Sequence, residues 1–320
     1  MGKGYIAAIQ LCGWVALMAI LATAQQAAGP SAGKSTDPLE QGLGLAKQGR
    51  CDEAGPLLKQ LPADTSKETR YNVEMAIARC ALRRRDGQAS VTALLALKHD
   101  FPQDPEVLYL TTQVFIQIAE SASSELYRVA PRSYQVRRLQ AESLESQEKW
   151  AEAAEIYRKI LEENPSLPEI HFRLGHVALS QPDLPNSTEA AKQEFRQELA
   201  IDPSNASAQF WLGEIAHRDG QWDEAVSRFT SATKLDADLW TAYLGLGMAL
   251  NSADRFPEAI APLEKYIAAM PDDATGHYQL AMSYRHVGRK QDAEREKALQ
   301  QQLSDKQQAR DAARAGVKSQ

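Results

Sequence analysis

The sequence predicts an all-α protein, a right-handed α-solenoid made of antiparallel helix hairpins. Segments rich in Ala, Glu, Leu, Arg and Gln dominate the chain, and no Val/Ile/Thr-rich run typical of a strand stands out. Small and large apolar residues also recur with a period of about 34 residues, which is typical of a repeat protein. One helix pair of that length cannot bury its apolar face alone, so we expect successive pairs to stack.

Composition and charge are those of a soluble globular protein. Of the 320 residues, 43% are hydrophobic and 24% are charged, and aromatic residues make up only 7%. The net charge is −6 and the isoelectric point is about 5.6. A general nucleic-acid binder needs a basic face, so no nucleic-acid partner is expected.

The N-terminus has the features of an export signal. Lys3 precedes an apolar run over residues 6–21, and Ala22-Thr23-Ala24 provides a small-x-small cleavage site before Gln25. We therefore expect residues 1–24 to be a signal peptide and residues 25–37 a flexible linker. The alternative is an uncleaved membrane anchor, because the apolar run approaches the length that spans a bilayer.

Three sequence features recur in register and define the repeat. The pair Leu-Gly occurs at residues 174–175, 212–213 and 246–247. An Ala is followed four residues later by a large residue at Ala153/Tyr157, Ala191/Phe195, Ala225/Phe229 and Ala259/Leu263. A Pro closes the unit at Pro165, Pro203 and Pro271, and Ala237 takes this place once.

At these positions the chain resembles the tetratricopeptide repeat (TPR) family, whose signature has the same three features. Five units begin near Tyr134, Pro168, Ala206, Trp240 and Ala274, and residues 181–188 lengthen the second unit by four residues. The resemblance predicts a well-formed array over 134–287 and degenerate TPR-like hairpins over 38–133. The last degenerate unit, Pro105–Ser133, is expected to lack part of its second helix.

The small residues of the repeat have a physical role. Two helices approach to about 8–10 Å only when the side chains at their contact are small. Gly213 and Ala225 are predicted at such a contact, and Trp222 and Phe229 then fill the space toward neighbouring helices. Gly220 is expected to provide the left-handed turn between the two helices.

The C-terminal segment is helical in propensity but carries few apolar residues. A solenoid needs a terminal helix with one polar face, so residues 288–305 are predicted to be the second, capping helix of the last unit. Residues 306–320 are predicted to be a frayed polar tail.

The two cysteines beyond the signal are candidates for a disulfide. Cys51 is predicted to begin one helix and Cys80 to lie late on the next, and a loop midway between them would place the two side by side. An exported protein meets an oxidising compartment, which favours a bond. Two buried free thiols are the alternative.

The sequence contains no recognisable catalytic or metal-binding pattern. The metal-binding patterns HxxxH, HExxH and CxxC do not occur in the sequence. The segment AGPSAGKS (28–35) is similar to a phosphate-binding loop but lacks the preceding strand that such a loop requires. His171 and His277 occupy the same repeat position and are interpreted as packing residues. We therefore predict no metal, no cofactor and no enzymatic activity.

The family resemblance implies a concave groove lined by the first helix of each unit. Apolar side chains with two methionines, edged by His and Arg, would suit a protein or peptide segment with apolar anchors. The alternative is that part of this row packs against adjacent repeats. The predicted groove residues are Arg138, Phe172, His176, Phe210, Glu214, His217, Arg218, Leu244, Met248, Tyr278, Met282 and Arg285.

These features together predict an exported, non-enzymatic scaffold that binds other proteins, as an adaptor or assembly factor in the bacterial periplasm or cell envelope. A membrane contact is expected only if the N-terminal segment is uncleaved, and the oligomeric state is left open. Two alternatives belong to other classes. One is an accessory protein that binds a non-protein polymer such as a polysaccharide or lipid, and the other is an enzyme with an unrecognised site.

Overall fold

All the regular secondary structure that is described is helical, in agreement with the predicted all-α class. The computed structural model describes residues 37–60, 62 and 65–318, with side chains through Ala313. The predicted signal segment, and all of the predicted linker except Asp37, lie outside the described residues. The described helices are α1 Pro38–Lys47, α2 Cys51–Leu58, α3 Lys67–Arg83, α4 Gly87–Asp100, α5 Pro105–Val129, α6 Tyr134–Ser146, α7 Trp150–Glu163, α8 Ile170–Leu179, α9 Ser187–Ile201, α10 Ala206–Arg218, α11 Trp222–Leu235, α12 Trp240–Ser252, α13 Phe256–Ala269, α14 Ala274–His286 and α15 Lys290–Lys318.

The chain divides into two compact units, one through Ser124 and one from Glu125 onward. In the first unit α1 pairs with α2 and α3 with α4, and one face of α5 joins the core built by α3 and α4. In the second unit α6 to α15 form five helix pairs, and the second helix of each pair packs on the first helix of the next. The second unit is therefore an α-solenoid. In the part of the chain that the structure describes, no helix is both long and apolar enough to cross a bilayer.

All the described hairpins except α8–α9 share one turn geometry, in which a residue with left-handed backbone follows the first helix. Gly220 has φ 74°, and Gln221 then donates its backbone N–H to the carbonyl of Ala216, five residues earlier, at 2.9 Å. This bond satisfies a carbonyl that the helix end would leave unpaired. The same position has positive φ at Gly49, Arg85, Glu148, Asp254 and Gly288. Glycine therefore marks only half of these turns in the sequence.

Helix α5 differs from the prediction for residues 105–133. A shortened hairpin was expected there, but the segment is one continuous helix, Pro105–Val129. The Asp104 side chain starts it by accepting the backbone N–H of Val107 at 3.0 Å. No Gly or Pro follows until Pro131, so nothing in the sequence interrupts the helix. The hairpin prediction for this unit was wrong for that reason.

The last helix also extends past its predicted end. Helix α15 runs from Lys290 to Lys318, through the boundary placed at residue 305 and through most of the segment predicted to be frayed. This segment contains mainly Lys, Gln, Ala and Arg, which are strong helix formers. Every described side chain from Asp305 to Ala313 is exposed, so only the first part of α15 packs on the solenoid.

The packing of the second unit depends on rings that lie against glycines. Phe229 of α11 is fully buried, and its ring occupies the space that a Cβ would need at Gly213 of α10 and at Gly245 of α12. Gly175 faces Phe195, and Gly247 faces Leu263, in the same way. The glycines of the repeat thus make room for large side chains from the second helices. This is the physical role predicted for the small residues.

A polar pair links the two helices of three hairpins, at the same position of the repeat. His277 is buried, and its Nδ1 lies 2.7 Å from the Glu296 carboxylate of α15 while its Nε2 lies 3.0 Å from the Pro271 carbonyl. Two equivalent pairs join the helices of other hairpins, His171–Glu194 at 2.6 Å and Gln209–Arg228 at 3.2 Å. These pairs agree with the interpretation of the two histidines as packing residues.

A disulfide joins Cys51, the first residue of α2, to Cys80 near the end of α3. The two Cα atoms are 5.3 Å apart, and both residues are buried. The bond closes a loop of 29 residues within the first unit, including segment 59–66 between the two helices.

The contact between glycine and ring makes a prediction about stability. We expect Gly213→Ala to lower the free energy of unfolding by about 1–3 kcal/mol, because the new Cβ would lie 2.8 Å from the Phe229 ring. Without that overlap, Gly→Ala inside a helix would stabilise by up to about 1 kcal/mol. Gly44→Ala is the matched control, since its Cβ would meet no atom within 4 Å. Urea unfolding followed by circular dichroism measures both, and a Gly213→Ala protein as stable as wild type contradicts the packing.

The disulfide predicts a difference between the oxidised and the reduced protein. Replacing both Cys51 and Cys80 by Ser is expected to destabilise the first unit by roughly 3 kcal/mol, because the unfolded chain regains the freedom of the closed loop. Intact mass after alkylation, with and without reductant, reports the bond in protein taken from its native cells. Two alkylated thiols in the unreduced sample would contradict it.

Candidate functional site

The predicted groove residues lie on the first helices of the five hairpins of the second unit, α6, α8, α10, α12 and α14. Contacts between successive first helices connect this surface. The His176 and Trp211 rings are 5.8 Å apart, and His217 Nε2 lies 3.3 Å from Ser252 Oγ. We call the surface that carries the twelve predicted residues the inner face. Most of their side chains are half-buried, while Arg218, Tyr278 and Arg285 are exposed.

The inner face begins with an ionic network at α6 and α8. Arg138 pairs with Glu142 at 2.9 Å and also with Glu169, while Arg173 bonds Glu142 at 3.2 Å. Glu145 accepts from Arg173 and from the buried Tyr157 hydroxyl. Arg138 is thus already paired within the protein. At this end the inner face offers paired charges.

A buried carboxylate fixes the start of α8 next to this network. Glu198 of α9 is fully buried and accepts the backbone N–H groups of Glu169 at 2.7 Å and Phe172 at 3.1 Å. Asn205 Nδ2 adds a third bond at 3.2 Å. The first turn of α8 has no side-chain cap of its own, so Glu198 satisfies amides that would otherwise be unpaired. Its role is structural.

The aromatic residues of the inner face are partly committed to packing. The Phe172 ring lies 5.7 Å from that of Phe195, and the Phe210 ring lies 5.8 Å from that of Phe229. Leu244 packs against the core cluster of α12 to α15. The packing of these three side chains supports in part the alternative that the predicted groove residues pack within the repeats.

The C-terminal part of the inner face is more open. The Tyr278 side chain is 56% exposed, and Met248 and Met282 are half-buried without belonging to a core cluster. His286 stacks on Phe256 with ring centroids 3.8 Å apart, so it has a packing partner outside the inner face. The exposed apolar area is therefore concentrated on α12 and α14.

Burial shifts the pKa of two ionisable groups on α10. Burial raises the pKa of the Glu214 carboxyl, and the charge of Arg218 opposes this only in part. Burial also lowers the pKa of the His217 imidazole, which favours the neutral ring. Glu214 forms no hydrogen bond or salt bridge with any described residue.

Two features of the first unit were missed by sequence reasoning. A cavity of about 430 Å³ lies between α1 and α3, and its lining includes the basic residues Lys47, Arg79 and Arg83 and the apolar residues Leu43 and Met75. The repeats there are too degenerate for position-by-position comparison, so no sequence signal marked it.

The second missed feature is a set of large apolar side chains exposed on α5. Leu108, Tyr109, Phe115 and Ile116 are all exposed. They follow one another at helical spacing, but the sequence alone did not show which side of α5 is covered. Within the described residues, no three His, Cys, Asp or Glu side chains are grouped to hold a metal ion.

The shifted pKa of Glu214 makes a prediction about pH. The folded state holds the carboxyl proton of Glu214 more tightly than the unfolded state does. Protonated Glu214 therefore stabilises the fold at pH values below its unfolded pKa of about 4.3. This stabilisation is lost as the pH rises through the raised pKa of the folded state. Glu214→Gln, which imitates the protonated form, should raise the melting temperature at about pH 7.5 and match wild type at about pH 4. Glu152→Gln, at an exposed site on α7, is the control. An equal shift at both pH values would contradict the prediction.

Comparisons with known proteins address the fold and the family. The model of the tetratricopeptide repeat family matches residues 115–168, 139–206, 172–227 and 218–274, which together span half of the chain. Two solved structures that are similar are MamA (19% identity, 53% of this chain and 96% of that one, TM-score 0.48) and YrrB, described as a TPR protein with an unusual peptide-binding site (19% identity, 57% and 92%, TM-score 0.49). A search of curated proteins finds no match. Because the repeat model matches half of the chain, the chain belongs to the tetratricopeptide repeat family.

Proposed function

We propose that this protein is an exported, non-enzymatic scaffold that binds other proteins through the inner face, as an adaptor or assembly factor of a bacterial cell envelope. Membership of a family of protein-interaction scaffolds supports the general class. The proposal for the inner face depends on one observation. Apolar side chains that no core cluster covers are concentrated on its helices α12 and α14.

The chemistry of this surface favours a protein segment with apolar anchors. Tyr278 is exposed, and Met248 and Met282 are flexible and polarisable side chains that adapt to different partner shapes. Exposed apolar area that includes an aromatic ring is typical of a contact surface. The charged groups at the α6 end are already paired and would mainly set orientation.

The proposed export is supported by the sequence of residues 1–24 and by the two cysteines. The small-x-small pattern Ala22-Thr23-Ala24 supports cleavage before Gln25. A disulfide between Cys51 and Cys80 persists in an oxidising compartment. The intact mass of the native protein also reports the cleavage, because a chain that starts at Met1 would support the anchor alternative instead.

The binding proposal is tested by crosslinking in native cells followed by mass spectrometry. Phe210→Ala combined with Tyr278→Ala is expected to abolish most partner recovery, because it removes two rings from the inner face. Phe210 also packs against Phe229, so Tyr278→Ala alone serves as the variant that should leave the fold intact.

The matched control for this experiment replaces exposed apolar residues elsewhere on the second unit. Leu184→Ala with Leu235→Ala removes similar exposed area outside the inner face, and its partner recovery should equal that of wild type. Unchanged recovery with Tyr278→Ala and with the double variant would show that the row only packs against its neighbours. Melting temperatures of all variants separate loss of binding from loss of folding.

A further inference from the structure

Glu214 differs from the other partly buried carboxylates of the second unit. Glu142 and Glu145 are paired with arginines, and Glu198 accepts two backbone N–H groups. Glu214, on the same surface as Glu142, is half-buried and forms no hydrogen bond or salt bridge among the described residues. Partial burial of a carboxylate without a hydrogen-bond or ion-pair partner costs free energy, which the raised pKa of Glu214 also reflects.

The basic residues of α10 compensate this charge only in part, through the nearby charge of Arg218. The Arg218 guanidinium is directed to the Thr188 hydroxyl of α9, at 3.1 Å. His217 is near Ser252 of α12, and burial lowers its pKa so that the neutral ring is favoured. The acceptor oxygens of Glu214 are thus left for a group from outside the protein.

Two aromatic residues, Phe210 and Trp211, lie about one helical turn before Glu214 on α10. Phe210 precedes Glu214 by one helical turn, and its ring lies 5.4 Å from that of Trp211. Aromatic faces attract cations, and a carboxylate beside them strengthens that preference. Met248 occupies the equivalent repeat position on the neighbouring helix α12 and provides an apolar contact.

We propose that the protein segment bound by the inner face carries a Lys or Arg side chain that pairs with Glu214, next to apolar side chains that contact Met248 and Tyr278. This inference rests on the proposed function and names the chemistry of the partner. The basic group would supply the ion pair that Glu214 lacks, and the apolar groups would cover the open part of α12 and α14. The segment is therefore basic at one position and apolar on the side that continues toward α14.

The test is a selection of random twelve-residue peptides displayed on phage against the full chain. The same library is selected against Glu214→Gln and against Glu152→Gln, which removes an equal charge from an exposed site on α7. Because the chain has a net charge of −6, the second variant controls for general attraction of basic peptides. We expect peptides with a Lys or Arg at a fixed distance from apolar residues to be enriched by wild type and by Glu152→Gln, but not by Glu214→Gln.

A binding measurement then tests the ion pair between Glu214 and the basic residue of the peptide. The peptide most enriched by wild type is synthesised with its basic residue and with norleucine in that place. Wild type should bind the basic form about tenfold more tightly, whereas Glu214→Gln should bind both forms equally. The affinity for the norleucine form should be the same for both proteins, which shows that the substitution leaves the rest of the surface intact.

The outcomes separate this inference from the proposed function. If apolar peptides are enriched without a basic residue, or if Glu214→Gln keeps the preference for basic peptides, the inference is overturned while the binding surface stands. If wild type, Tyr278→Ala and Glu214→Gln all enrich the same peptides to the same extent, the inner face is not the binding surface and the proposed function fails with the inference.

Discussion

The second unit depends on the contact between a large side chain of one helix and glycines of the helices on either side. The Phe229 ring is fully buried between Gly213 and Gly245, and neither position leaves room for a Cβ. Close packing of this kind fixes both the distance within a hairpin and the distance to the next hairpin. The spacing of the first helices, which carry the inner face, depends on these distances.

Polar contacts add direction to this apolar packing. Dispersion and the burial of apolar area are non-directional. Hydrogen bonds are directional, so the buried His277–Glu296 contact and the Gln209–Arg228 bond fix how the two helices of a hairpin are rotated about their own axes. Glu198 does the same at the start of α8. Burying a polar group costs free energy unless it is bonded, so these pairs also disfavour other registers.

The inner face changes character along the second unit. Its α6 end is an ionic network in which every arginine has a carboxylate partner, and its α12–α14 end is apolar and more exposed. Glu214 lies between the two, with a raised pKa and no hydrogen-bond or ion-pair partner among the residues that the structure describes. Charges are thus paired at one end of this surface and apolar area is exposed at the other, with the Glu214 carboxylate between them.

The sequence by itself determined the helical class, the period of the repeat, and four of the five unit starts, since α6, α10, α12 and α14 begin at Tyr134, Ala206, Trp240 and Ala274. These features are local, because periodicity, turn glycines and closing prolines act within one unit. It did not predict the single helix α5 or the length of α15, where helix propensity continued without a breaker. Only the tertiary structure decided which inner-face side chains have partners. Among the described residues, Phe172 packs on Phe195 of the other helix of its hairpin and Arg138 pairs with Glu169 of the next unit, whereas Tyr278 and Glu214 have no ring or polar partner. Such partners depend on how the helices pack together, which the pattern of a single helix does not contain.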